Sequence, residues 1–149
     1  MTISKDTPLA EITLRRYEKP YDMPRRELIK KLCLSVGLLQ PGDSRDIIVD
    51  LLYVLLEAKK GKKGLDSEEI QSLVIEVRKQ HKLPPRGVAP SNIRRQIKRL
   101  RDLFLVEKVD SKYRISEFEE LEVIFNDKIE KYFLDNILAR VKDYFNAVR

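Results

Sequence analysis

Six aliphatic residues within ten positions constrain this chain more than any other feature: Ile47, Ile48, Leu51, Leu52, Leu55 and Leu56. At about 100° per residue they cover a wide face of a single helix. So wide a face cannot be buried by one neighbour. The spacing therefore predicts a central core helix over 45–60, with other elements packed around it. The chain has 149 residues, about one domain and enough to bury such a core.

The flanking segments supply the neighbours. Residues 1–22 read as an arm, with a short strand expected where Ile12 and Leu14 alternate with polar residues. Asp22-Met23-Pro24 is a helix start, and Leu28, Ile29, Leu32, Cys33 and Val36 then recur at helical spacing up to the stop at Gly37. Pro41-Gly42 turns the chain, and Asp43 or Ser44 is placed to cap the core helix. KKGKKG (59–64) ends it. Asp66 and Glu69 have capping-box spacing before Ile70, Leu73, Val74 and Val77. Three prolines in LPPRGVAP (83–90) bar any continuation of that helix. Ser91 is expected to cap a helix over 92–104. Two strands follow, 105–109 and 113–116, joined by the turn residues Asp110-Ser111-Lys112. The remainder, 117–149, reads as one long amphipathic helix with a break expected near Asn126.

Charge is unevenly spread. Between Glu76 and Asp102 lie nine Lys/Arg residues and no acid, whereas the whole chain carries net +6, so everything else sums to −3. Concentrated positive charge is the footprint of a polyanion site. The competing reading is a solvated basic face, since 36% of the residues are charged and Lys, Arg and Glu far outnumber Asn and Gln, a thermophile-like balance. No apolar run approaches the ~20 residues of a membrane span, and MTISKDTPLAEI lacks the apolar core of a signal peptide, so the cytoplasm is expected. With one cysteine and one histidine, neither an internal disulfide nor a Cys/His zinc site can form within the chain. Cys33 reads as a small buried hydrophobe, and His81 as a structural residue on the apolar side of its helix. Carboxylates are scattered and no nucleophile–base pair is evident. No enzyme activity, metal or cofactor is expected.

The order helix, helix, basic helix, hairpin over 44–116 resembles a winged helix-turn-helix domain. GLDSEEIQSLV (64–74) resembles the short apolar strand and acidic start of the second helix in such domains. VAPSNIRRQIKRLRDLFLVEKV (88–109) resembles their recognition helix and first wing strand, and DSKYRIS (110–116) the second. The connection 82–90 is longer than a tight helix-turn-helix turn. The resemblance implies a mainly α fold with a small β-hairpin wing, carrying an N-terminal helical extension (1–43) and a long C-terminal helix (117–149). It also implies double-stranded DNA as partner and transcription regulation as function. The metal-sensing branch of these regulators needs His and Cys ligands that this chain lacks.

On the 92–104 helix, Ile93, Ile97, Leu100 and Phe104 share one side, and Arg94, Arg95, Lys98 and Arg99 the other. Side chains near a recognition helix's start reach base edges in the major groove. Asn92, Arg94, Arg95 and Lys98 are therefore the base-reading candidates. Ser91, Arg99, Arg101, Lys108, Lys112 and Arg114 are the phosphate candidates, with Lys112 at the wing tip. In the C-terminal helix, Phe125, Ile129, Phe133, Ile137, Val141, Tyr144 and Val148 advance by three or four. That stripe either folds back on its own domain or pairs with a second copy. A homodimer is the reading adopted, because many winged-helix regulators pair through an added helix. The alternative function is a winged-helix interaction module of a larger complex.

Overall fold

The computed structural model describes residues 6–148. The element order is α1 (Arg25–Ser35), α2 (Ile47–Lys60), α3 (Ser67–Gln80), α4 (Pro90–Asp102), β1 (Val106–Val109) and β2 (Lys112–Ile115), then a 3-10 turn (Ser116–Phe118) and α5 (Leu121–Ile124). A π-helical segment (Phe125–Leu134) leads into α6 (Asp135–Ala147). The molecule is mainly helical with one small antiparallel hairpin.

The aliphatic run of α2 does what its width demands. Ile48, Leu51, Leu52 and Leu55 are almost fully buried, and α2 packs against α1, α3, α4 and β2. Each such side chain contributes about 1.5–3 kcal/mol of transfer free energy. The hairpin joins the core through Val106 and Ile115, which pair in register across the two strands. Leu65, just ahead of α3, bridges to Tyr113 by two backbone hydrogen bonds of 2.9 and 2.7 Å, so it extends the hairpin by one residue. Asp66 caps α3 as expected: its carboxylate accepts from the Glu69 N–H at 2.8 Å, and Glu69 accepts from the Asp66 N–H.

All four of the first helices end in the same way. The residue after the C-cap takes a positive φ (Gly37, Lys62, Lys82 and Phe104), and its own N–H and that of the following residue donate back to the last turn in the Schellman pattern. Only Gly37 adopts this conformation without a Cβ penalty. It also has no room for a side chain, because an added Cβ would lie 2.7 Å from Thr13 Cβ of the arm.

The structure corrects several expectations. No strand forms at Ile12 or Leu14 among the described residues. That stretch is an extended arm tied to the end of α1, where Arg15 N–H donates to the Ser35 carbonyl at 2.8 Å and its guanidinium to the Leu34 carbonyl at 2.8 Å. Asp46, not Asp43 or Ser44, precedes α2. Its carboxylate is spent on arginines and caps nothing. Ser91 is likewise not a cap: α4 begins earlier, with Ala89 as N-cap and Pro90 in the first turn. The C-terminal helix does not break at Asn126. Helical backbone runs through both junctions, and the widened π turns absorb the irregularity. They bring Ile124 and Ile129, five residues apart, into the core together. Ile129 therefore belongs to the chain's own core and is not available to a partner, while Phe125 is half-buried and packs against that core. Phe133 meets Phe104 edge-on at 5.6 Å.

The least anticipated feature is a buried quartet of charges. Arg26 of α1 donates to Asp50 of α2 (2.8 and 3.0 Å) and to Asp46 (3.0 Å). Arg78 of α3 donates to Asp50 (2.7 Å) and Asp46 (3.0 Å). Asp50 is 0% exposed and Arg78 3%. Burial disfavours the charged form of Asp46, but the hydrogen bonds and charges of Arg26 and Arg78 outweigh it and hold this carboxyl below the usual carboxylate range. Burial likewise opposes the Arg26 charge, and Asp50 and Asp46 overcome it.

Candidate nucleic-acid interface

Helix α4 carries the concentrated charge. Ile93, Ile97 and Leu100 are buried against α2 and α3, which leaves Arg94, Arg95, Lys98 and Arg101 exposed on the opposite side. Arg94 and Arg95 make no side-chain hydrogen bond or ion pair among the described residues. Lys98 reaches Asp102 one turn on, at 2.9 Å, an exposed pair that holds weakly.

Other candidates are already engaged. Asn92 leaves the set of free base readers: its amide donates to the Gly87 carbonyl at 2.8 Å and its oxygen accepts from Gln96 at 3.2 Å. Arg99 donates to the Leu38 carbonyl at 2.7 Å and to Gln96 at 2.9 Å, so it clamps α4 to the α1–α2 connection. Arg114 pairs with Glu107 at 2.6 Å and lies over the Phe118 ring, so it braces the hairpin and is not free for phosphate. Burial raises the Glu107 carboxyl, but the Glu117 N–H and Arg114 bring it below its ordinary range. Arg101 and Lys108 flank the Tyr113 ring at 5.9 and 5.6 Å and keep their charges outward. Asp110 and Ser111 both have positive φ, the signature of a two-residue type I′ turn, and Lys112 stands exposed beside it. Ser91 is exposed at the start of α4.

Helix α4 stands as a ridge between two hollows. The one on the hairpin side, of about 570 Å³, is lined by Arg94, Lys98, Arg101, Lys108 and Tyr113 among others. The one on the loop side, of about 940 Å³, is lined by Arg95 together with Lys30, Arg45 and Arg86. Lys30 and Arg45 do not stand out in the sequence, because they lie 60 and 45 residues before the start of α4 and only the fold brings them to it. Arg86 belonged to the basic run but sat in a proline-rich loop with no predicted geometry.

No family model, curated protein or solved structure matches this chain. What the site does rests on its geometry. Among the described residues no cluster of three His, Cys, Asp or Glu could hold a metal ion, and no helix is long and apolar enough to cross a membrane.

Proposed function

We propose that this chain is a winged helix-turn-helix regulator that binds double-stranded DNA, with α4 in the major groove and the β1–β2 hairpin as the wing. The observation that carries this reading is the pair of unpartnered, exposed guanidiniums of Arg94 and Arg95 early in α4, above a fully buried stripe. An α-helix fits the major groove, where arginine reads guanine O6 and N7 bidentately. Lys112 on the wing and Arg101 on α4 supply phosphate contacts.

Selection of bound sequences from random duplex DNA tests the proposal. Arg94→Ala or Arg95→Ala is expected to relax the selected preference and to cost about 1–3 kcal/mol of binding, with folding intact. Lys112→Ala is expected to weaken all sequences alike and to lower the salt slope by about one unit. Unchanged affinity in both arginine variants removes α4 from the reading role.

The exposed half of the C-terminal helix supports a homodimer. Leu138, Val141, Tyr144, Phe145 and Val148 are 44–80% exposed, and Ile137 is half-buried beside them. Two copies paired along this stripe would place two α4 helices on one duplex. The same stripe supports a second reading, an interaction module of a larger complex. A protein partner recovered after nuclease treatment, with no selected DNA sequence, would favour that reading.

A further inference from the structure

The connection between α3 and α4 is long, yet side chains fasten it at three points. Arg78 Nε donates to the Pro84 carbonyl at 2.7 Å, Asn92 to the Gly87 carbonyl at 2.8 Å, and Gln71 to the Val88 carbonyl at 2.7 Å. Arg78 is itself locked by Asp46 and Asp50. Gly87, at φ +78°, lies against Asn92 and Ile47, where a Cβ would come within 3.1 Å of the Asn92 amide. The loop is thus preorganised, and it holds Arg86 at the rim of the loop-side hollow.

The charge of that hollow is compensated only in part: Arg45 meets Asp43 at 3.3 Å through a side chain 90% exposed, a weak pair that a phosphate can replace. Its two acids are both occupied: Asp46 by Arg26 and Arg78, and Asp43 by the N–H and Nε of Arg45. Lys30, Arg86 and Arg95 make no side-chain hydrogen bond or ion pair among the described residues. These cations come from α1, the loop and α4, and converge only in the folded chain. The starts of α2 and α4 also border the hollow, both without a side-chain cap, so their positive ends add to the field.

We infer that the loop-side hollow, with Lys30, Arg45, Arg86 and Arg95, binds phosphodiesters of the DNA strand that lies across the major groove from the wing. The inference rests on the DNA reading proposed above. A helix lying in the groove has a phosphate strand on either flank, the groove being about 12 Å wide. This chain has a basic hollow on either flank of α4. A small free anion would occupy one hollow and leave the other without purpose, whereas a duplex engages both.

The test is titration of the full chain with a short duplex at several salt concentrations, comparing wild type with the Arg45→Ala/Arg86→Ala double variant. Both side chains are exposed, and circular dichroism verifies the fold. Losing two phosphate contacts is expected to reduce the salt slope by about 1.8 and the affinity at 0.1 M salt by about 60-fold, equally for every sequence. Arg86→Lys keeps the charge and is expected to keep the slope. A wild-type slope in the double variant overturns the inference while α4 keeps its role. A wild type that binds no duplex at low salt overturns the DNA reading itself. If calorimetry shows that the double variant loses sodium triphosphate binding but keeps its DNA affinity, the hollow takes a free polyphosphate and the backbone assignment falls.

Discussion

The substitution Asp50→Asn probes the buried quartet most directly. The Asp50 carboxylate is fully enclosed and accepts three hydrogen bonds, two from Arg26 and one from Arg78. Asparagine has nearly the same shape, so no cavity opens. It brings an N–H₂ group against guanidinium donors, however, and leaves two buried cations facing the single carboxylate of Asp46. Breaking a buried pair in this way costs about 3–5 kcal/mol, because a charge is left uncompensated in low dielectric. Domains of this size have about 5–15 kcal/mol in total. At about 2–4 °C per kcal/mol, the melting temperature should fall by about 6–20 °C. Urea titration followed by far-ultraviolet circular dichroism measures the loss, and an unchanged m-value shows that the same structure unfolds. Adding Arg26→Met to Asp50→Asn leaves Arg78 and Asp46 as a balanced pair. The double variant should therefore cost less than the sum of its singles, by at least about 1 kcal/mol. A loss below about 1 kcal/mol for Asp50→Asn, or strict additivity of the pair, would show that the four groups do not act as one buried unit.

Four further outcomes are expected. Lys62→Gly relieves a left-handed lysine at the end of α2 and should stabilise the fold by up to about 1 kcal/mol in the same urea assay; a loss would show that the Lys62 side chain matters to that turn. Cys33 is buried and its thiol is pushed up to about 12, chiefly by that burial, so a thiol reagent at pH 8 should label it only when urea unfolds the chain; fast native labelling would mean that α1 opens readily. Because the Asp46 carboxyl titrates lower in the folded than in the unfolded chain, its contribution is complete above about pH 5 and lost as pH falls through the lowered value, so stability should decline on the acid side and Asp46→Asn should flatten that decline. Phe145, 78% exposed, and Ile129, 1% exposed, separate the two halves of the C-terminal helix: Phe145→Glu should abolish dimers seen by sedimentation and leave the fold intact, whereas Ile129→Glu should unfold the chain. A wild type that sediments as a monomer at micromolar concentration would sink self-pairing.

Local pattern carried much of the architecture. The aliphatic spacing of Ile47–Leu56, the Asp66/Glu69 box and the hairpin turn each concern neighbours a few residues apart, where chain geometry alone decides contacts, although the turn is Asp110-Ser111 alone, because Lys112 pairs with Val109 and starts the second strand. The buried charges escaped that logic. Arg26 meets Asp46 and Asp50 across 20 and 24 residues, and Arg78 meets them across 32 and 28. In a sequence rich in charge, nothing local sets these four apart from solvated ones. The ends of α1, α2 and α3 were legible from Gly37, from KKGKKG and from the prolines of 83–90, but the left-handed backbone at Lys62, Lys82 and Phe104 carries no local signal of its own. Ser91 looked like a cap because serine favours that place, yet Pro90 is preorganised for the first turn and drew the start forward. On the candidate site, the α4 arginines follow from helical phase. Their neighbours Lys30 and Arg45 do not, since tertiary packing alone delivers them.

The π-helical stretch Phe125–Leu134 joins the body of the molecule to α6 and its apolar stripe. Its wider turns hold more residues per revolution than an α-helix, so the heading of everything beyond is set by how many residues the stretch contains, whatever their identity. Deleting one while the π turns persist would swing Leu138, Val141 and Phe145 around the axis by one residue's rotation, at most about 100°, and rewinding towards α geometry would take part of that swing back. The stretch behaves as a clutch between body and tail. In a paired assembly it would fix the angle between the two α4 helices, and with it the spacing of half-sites that two copies can span. A change in chain length of one residue after Phe133 would alter that spacing while leaving Ile129 in the core and the α4 arginines in place.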